Sequence, residues 1–351
     1  MSARLEVSYQ RAGPFAWMAG LLRDLGVDPA EVSRGLGIDL DALTPDSRLN
    51  FADCLMLLER AAALTGCAHF GLLLGGRYPW RAHGLIHDLA SHAPTLRQGM
   101  LDFVTWQLGY CSGAVVYLLP MGDDVAFGYG IYGGNSPGSG QLYQVCVAIG
   151  CAIVRELSDG QVVPVEIHFA NDKPTDLTPY RQFLPATPRF NQLQCCLVLS
   201  AAAIDQPRRS ADPAQRDRLI AMLGSSFAAG RGATSRKLRH LLRPQLLGED
   251  ASMQTAAAAM GVTPRTLRRQ LLAEGLTFEA VRDDVRFTVA RELLEMTCLP
   301  VGDISAALAF ASHSTFDQAF RRWSGKSPSA WRHAPTVKHL VDALPHQLQN
   351  S

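Results

Sequence analysis

Arg265, Arg268 and Arg269 share one helical face within the run Thr263-Pro264-Arg265-Thr266-Leu267-Arg268-Arg269-Gln270-Leu271. A guanidinium offers a planar fork of donors that matches both the acceptor pair on a guanine edge and the oxygens of a phosphate. Further along, His313, Ser314, Thr315, Gln318 and Arg321 form a second polar set at helical spacing. Donor-rich side chains displayed in this way suit the reading of double-stranded DNA.

Such side chains need a helix that buries its other face. Thr263 is a favoured N-cap, Pro264 a favoured first helical residue, and Gly261 supplies the turn before them. The small residues Ala256 to Ala259 let a preceding helix approach closely, while Leu267 and Leu271 point inward at i, i+4. The pattern recurs after 48 residues, counted from Met260 to Leu308. Ser305, Leu308 and Ala309 precede a helix whose inward stripe is Phe316, Phe320 and Trp323. Each copy predicts a helix, a tight turn and a second, exposed helix, the helix-turn-helix arrangement.

Ser252 to Arg332 resembles the DNA-binding domain of the AraC/XylS family of bacterial transcription regulators, two such units joined by a long helix, here Phe278 to Thr297. The residues carrying the resemblance are Thr263 to Arg269 and the closing run from Phe320 through Gly325 and Pro328 to Arg332. Two positions depart from the family pattern: Ala309 replaces the usual turn glycine of the second unit, and Gln318 an often basic residue. The resemblance implies DNA contacts from Arg265, Thr266, Arg268, Arg269, His313, Ser314, Thr315, Gln318 and Arg321. It also implies an activator, with RNA polymerase as a partner and a possible homodimer.

The 351 residues suggest two domains, and 47% apolar with 19% charged residues is ordinary for packed globular protein. From Arg231 onward there are 16 Lys and Arg against 11 Asp and Glu, leaving 17 against 21 before it. A basic C-terminal part on a mildly acidic larger one fits a DNA-reading module attached to something else. The expected division is an α+β domain over 1–206, a linker with a helix over 207–234, an all-α domain over 235–333 and a tail over 334–351. Missing apolar spans and a missing signal-peptide core predict a cytoplasmic chain.

Residues up to about 110 read as helical, with helix starts at Asp28-Pro29 and Asn50, an apolar face of Leu55, Leu58, Ala62 and Leu64, and a further helix from Thr95 to Gly109. Ala114 to Leu119 and Val125 to Ile131 predict a hairpin around Pro120 to Asp124. Gln141 to Leu157 reads as a helix, Val162 to Phe169 and Gln194 to Ser200 as strands, and Thr178 to Leu184 as a short helix. Pro207 to Pro213 reads as an interdomain linker, followed by a helix to about Ala229 and a break at Gly230-Arg231-Gly232. In the tail, Val337 to Leu344 reads as a short helix. This part resembles the arabinose-binding-type sensor domain of one AraC subgroup through Gly84-Leu85-Ile86, Ser91 to Leu96, and His168 through Tyr180 to Asn191. The resemblance implies a small-molecule effector, for which Trp80, Arg81, His83, Trp106, Tyr129 and Tyr143 are candidate pocket residues. A domain that only dimerises is the alternative.

Enzymatic motifs are present but incomplete, and no catalytic residue, metal site or cofactor is assigned. Gly128-Tyr129-Gly130-Ile131-Tyr132-Gly133 matches G-x-G-x-x-G, yet loop residues follow where a helix must begin. Gly134-Asn135-Ser136-Pro137-Gly138 matches a nucleophile elbow, making a serine hydrolase using Ser136 a remote alternative, but the strand-helix repeats of such a fold are missing. The eight cysteines lack metal-site spacing and read as small hydrophobic filler.

Overall fold

The computed structural model describes residues 8–132, 138–227, 234–247 and 251–333. Ser136, Gly230 to Gly232 and the helix expected at Val337 to Leu344 lie outside the described residues.

The N-terminal part begins with β1 (Tyr9–Arg11), a 3-10 turn at Gly13–Trp17, α1 (Met18–Asp24), α2 (Pro29–Ser33) and β2 (Arg48–Asn50). Next come α3 (Phe51–Thr65), α4 (Phe70–Arg77), a turn at Trp80–His83, α5 (Leu85–Ser91) and α6 (Leu96–Trp106). The helix starts follow local chemistry: Asp28, Asn50 and Thr95 each accept a backbone N–H of the first turn. Strands β1 and β2 pair antiparallel within the stretch expected to be wholly helical. On α3 the expected inward Leu64 is instead 49% exposed, whereas Leu55 and Leu58 are buried.

The second half carries β3 (Ala114–Met121), β4 (Asp124–Ile131), α7 (Ser139–Leu157), β5 (Glu166–His168), α8 (Thr178–Phe183), β6 (Pro188–Arg189), β7 (Cys195–Ser200) and α9 (Ala201–Ile204). The five strands run in the order β3-β4-β7-β5-β6, all antiparallel except β5 with β6. The hairpin is tighter than the expected turn over Pro120 to Asp124: Met121 pairs Asp124 across Gly122 and Asp123, with Gly122 at φ +64°. Pro120 is tolerated because β3 is an edge strand. The strand expected over Val162 to Phe169 shrinks to three residues. Helix α7, apolar on most sides, lies between the sheet and α3 and α4.

The expected linker is not a free tether. The Arg208 backbone donates to Pro94 O (2.9 Å), Asp212 to His92 O (3.2 Å), and the Arg208 guanidinium reaches Ala90 O at 2.9 Å. Helix α10 (Pro213–Phe227) then packs on α5, with Leu219 and Leu223 in the first core and Arg216 paired to buried Asp102 at 2.5 Å. Side-chain bonds to backbone carbonyls explain why a proline-bearing polar stretch lies flat on the domain.

The C-terminal part is helical: α11 (Thr234–Leu247), α12 (Met253–Ala259), α13 (Pro264–Ala273), α14 (Phe278–Met296), α15 (Val301–Ala307), α16 (His313–Ser324) and α17 (Pro328–Arg332). Its core is separate, built from Leu238, Leu242, Leu267, Leu271, Val285, Val289, Phe316 and Phe320 among others. Among the described residues no single helix is long and apolar enough to cross a membrane.

Candidate nucleic-acid interface and ligand cavity

Thr263 Oγ1 accepts the Thr266 N–H at 3.2 Å, which starts α13 with Pro264 in its first turn. Leu267 and Leu271 are fully buried, so the helix is held by one face. Arg265, Arg268 and Arg269 are exposed on the other, and among the described residues no carboxylate pairs with them. Thr266 is half-buried, its hydroxyl 3.0 Å from that of Thr263. It therefore supports the cap.

The second unit repeats the construction. Ser312 and Thr315 form a reciprocal capping box at the start of α16, and Phe316 and Phe320 are fully buried. His313, Ser314, Gln318 and Arg321 are exposed, whereas the Thr315 hydroxyl is engaged in the cap. Arg321 is paired with Asp317 at 2.7 Å and Arg322 with Asp283 at 2.9 Å. The turn before α16 holds Ala309 at φ +55°, where the first unit has Gly261 at φ +66°. The backbone geometry of the glycine turn is thus kept with an L-residue under strain.

In the N-terminal domain a cavity of about 90 Å³ lies between α7 and the inner face of the sheet. Its walls are mainly apolar, including Phe15, Phe103, Phe127, Val145, Ile149 and Leu197. Of the six pocket candidates, His83 and Tyr129 line it. Trp80 is buried beneath His83 and His87, Arg81 is exposed, Trp106 packs against the core outside the lining, and Tyr143 turns toward the other domain. Gln10, Gln107, Tyr110, Cys146, Cys195 and Cys196, which spacing did not single out, also line it. Burial pushes the His83 imidazole down to about 4 and raises the Tyr129 hydroxyl and the Cys146 and Cys195 thiols. The cysteines are free, and the buried ones behave as hydrophobic filler whose thiolates burial disfavours.

Next to this cavity a buried polar cluster joins the two domains. Tyr143 on α7 donates to Glu292 on α14, and Arg243 on α11 forms an ion pair with the same carboxylate and donates to Ile131 O at 2.8 Å. The Arg243 and Glu292 side chains are 4% and 7% exposed. Burial disfavours the Arg243 charge, but Glu292 and its neighbours outweigh that and raise the pKa. Nearby, Tyr132 Oη lies 2.9 Å from Nδ1 of His240, whose pKa burial lowers to about 3. At the far end of α14, Asn191 accepts the Cys298 N–H at 3.0 Å.

This cluster also explains the glycines of the dinucleotide-like motif. A Cβ at Gly128 would overlap the Tyr117 ring, and one at Gly130 the Arg243 guanidinium. The two glycines make room for an aromatic ring and for the neighbouring domain.

A family model described as the arabinose-binding domain of AraC transcription regulator, N-terminal, matches residues 26–208, and a helix-turn-helix domain model matches 256–334. The chain is similar to an ornithine utilization regulator of Pseudomonas aeruginosa, 29% identical over 315 residues that cover 83% of this chain and 86% of the relative. It is also similar to the HTH-type transcriptional regulator VirS of Mycobacterium tuberculosis, 26% identical over 319 residues covering 89% and 93%. The crystal structure of the transcriptional regulator CdpR from Pseudomonas aeruginosa aligns with a TM-score of 0.46 and 19% identity, covering 95% of this chain and 100% of that one. With an arabinose-binding-type domain followed by a helix-turn-helix domain, this chain belongs to the AraC family of transcription regulators.

Proposed function

We propose that α13 and α16 are the two DNA-reading helices and that the α+β domain senses a small molecule in the cavity beside α7. The observation that carries the first half is the trio of exposed arginines on α13, unpaired among the described residues, on a helix whose opposite face is buried. An arginine already held by a carboxylate offers less to a phosphate or a base, so α13 supplies the stronger contacts. His313, Ser314 and Gln318 serve the second head, with Arg321 as a phosphate contact. Family membership favours activation as the output.

The second half is supported by position. Leu142, Val145 and Cys146 of α7 line the cavity, and Tyr143 between them holds Glu292 of α14. Because α14 connects the two helix-turn-helix units, a ligand that shifts α7 acts on both heads. An effector alters DNA affinity only through its different affinity for the two states, typically by about 1–3 kcal/mol.

Footprinting and a salt titration of operator binding test the DNA half. Two protected segments about one helical turn, roughly 34 Å, apart are expected. Arg268→Ala should cost about 1–3 kcal/mol and relax specificity at one position. Equal losses on specific and random DNA would assign Arg268 to phosphate instead.

A further inference from the structure

The cavity restricts the chemistry of what it takes. Among the described residues no Asp, Glu, Lys or Arg lines it, and the lowered His83 pKa leaves that ring neutral near pH 7. A charged ligand would shed its water there without meeting an opposite charge, which is strongly unfavourable. The carboxamide oxygens of Gln10 and Gln107 are buried and make no hydrogen bond among the described residues, and Gln107 is only 5% exposed. Both residues line the cavity. An orphan acceptor in a dry wall costs about 1–3 kcal/mol until a donor reaches it. Several of the other polar lining groups are engaged elsewhere. His83 Nδ1 lies 2.9 Å from the Tyr78 hydroxyl, Tyr110 Oη donates to Ala82 O at 3.4 Å, and Tyr129 bonds the Cys111 and Cys146 thiols.

We propose that the cavity binds an uncharged, largely apolar hydroxyl compound whose O–H donates to the carboxamide of Gln107 or Gln10 once that group turns its oxygen toward the cavity. The ligand is an alcohol or phenol on the order of ten non-hydrogen atoms, since one water needs about 10–15 Å³ and the cavity has about 90 Å³. This rests on the sensing role proposed for the domain and narrows it to a ligand class. A carboxylate of the same shape would bring negative charge toward two carbonyl oxygens, and a plain hydrocarbon would leave them unsatisfied.

The test uses the full chain with three near-isosteric probes, benzyl alcohol, toluene and benzoate, in calorimetric titrations and thermal shifts. Benzyl alcohol should bind roughly tenfold more tightly than toluene, the scale of one hydrogen bond, and at least a hundredfold more tightly than benzoate. Gln107→Leu or Gln10→Leu should collapse the preference over toluene while leaving toluene binding in place. A methionine at the same position replaces leucine in any variant that folds poorly. Benzoate binding as tightly as the alcohol, no binding of benzyl alcohol, or an unchanged preference in both folded variants overturns the proposal. Operator titrations with bound benzyl alcohol separate the two claims. Tight binding that leaves DNA affinity unchanged refutes the sensing role and keeps the ligand class, whereas a charged effector that shifts DNA affinity does the reverse.

Discussion

Glu292→Ala is the sharpest perturbation of the domain junction. The carboxylate is the acceptor for Tyr143 and the counter-charge for Arg243, and both ion-pair side chains are under a tenth exposed. Its removal leaves the guanidinium in a closed, low-dielectric site with Ile131 O as the remaining acceptor among the bonds described above. Breaking one side of such a buried pair costs about 3–5 kcal/mol, because the surviving charge stays desolvated. A loss of about 4 kcal/mol corresponds to a shift of roughly a thousandfold in the equilibrium. The chain has two cores that meet at this cluster, so it can relieve the cost by undocking rather than by unfolding. Denaturant unfolding followed by tryptophan fluorescence, with small-angle scattering at zero denaturant, distinguishes the two. Either a single transition weakened by about 3–5 kcal/mol or a split into two transitions with a larger radius of gyration is expected. The combination Arg243→Met with Glu292→Leu should recover most of the loss, since apolar replacements of similar volume remove the buried charge altogether. A Glu292→Ala protein within about 1 kcal/mol of the original, with one transition and an unchanged radius, would refute the reasoning.

His240 should make the chain acid-sensitive. Below pH 6.5 the unfolded chain takes up a proton that the folded chain refuses down to about pH 3, so stability falls with falling pH by up to about 1.4 kcal/mol per unit. His83 adds a similar slope down to about pH 4, and His240→Phe should remove only its own share in unfolding curves between pH 7.5 and 5.5. Ala309→Gly should stabilise the second unit by about 0.5–1 kcal/mol, since an L-residue at φ +55° costs about 1–2 kcal/mol against glycine's greater unfolded-state entropy, and an unchanged melting point would count against strain there. Asp317→Asn frees Arg321, so the salt dependence of DNA binding should steepen by up to about one counterion, and an unchanged slope would remove Arg321 from the phosphate contacts.

The C-terminal domain was legible because its signals are local. Thr263 and Ser312 cap the helices they precede, and the inward stripes at Leu267, Leu271, Phe316 and Phe320 have helical spacing. The cavity was not legible, since positions 10, 83, 107, 129 and 146 meet only once sheet and helices pack. Gln107 reads as a surface residue at the end of α6, and nothing in its neighbours signals a closed wall. Arg243 likewise reads as one more cation in a basic helix, and its burial is decided by Glu292, 49 residues away. At Pro207 to Pro213 polar composition marks a connecting segment, but it does not show that the hydrogen bonds of Arg208 hold that segment against the first domain.

Gly130 carries a consequence for building chimaeras from relatives. Joining the N-terminal domain of one protein to the helix-turn-helix domain of another somewhere in 228–233 keeps each core within one parent. Such a hybrid nevertheless sets one parent's Arg243 equivalent against the other's strand. Any side chain at the Gly130 position would fill the space the guanidinium occupies, and any non-acidic residue at the Glu292 position would strand its charge. Interchange of N-terminal domains should therefore succeed only between partners that match at Gly130, Tyr143, Arg243 and Glu292 together, however similar their folds.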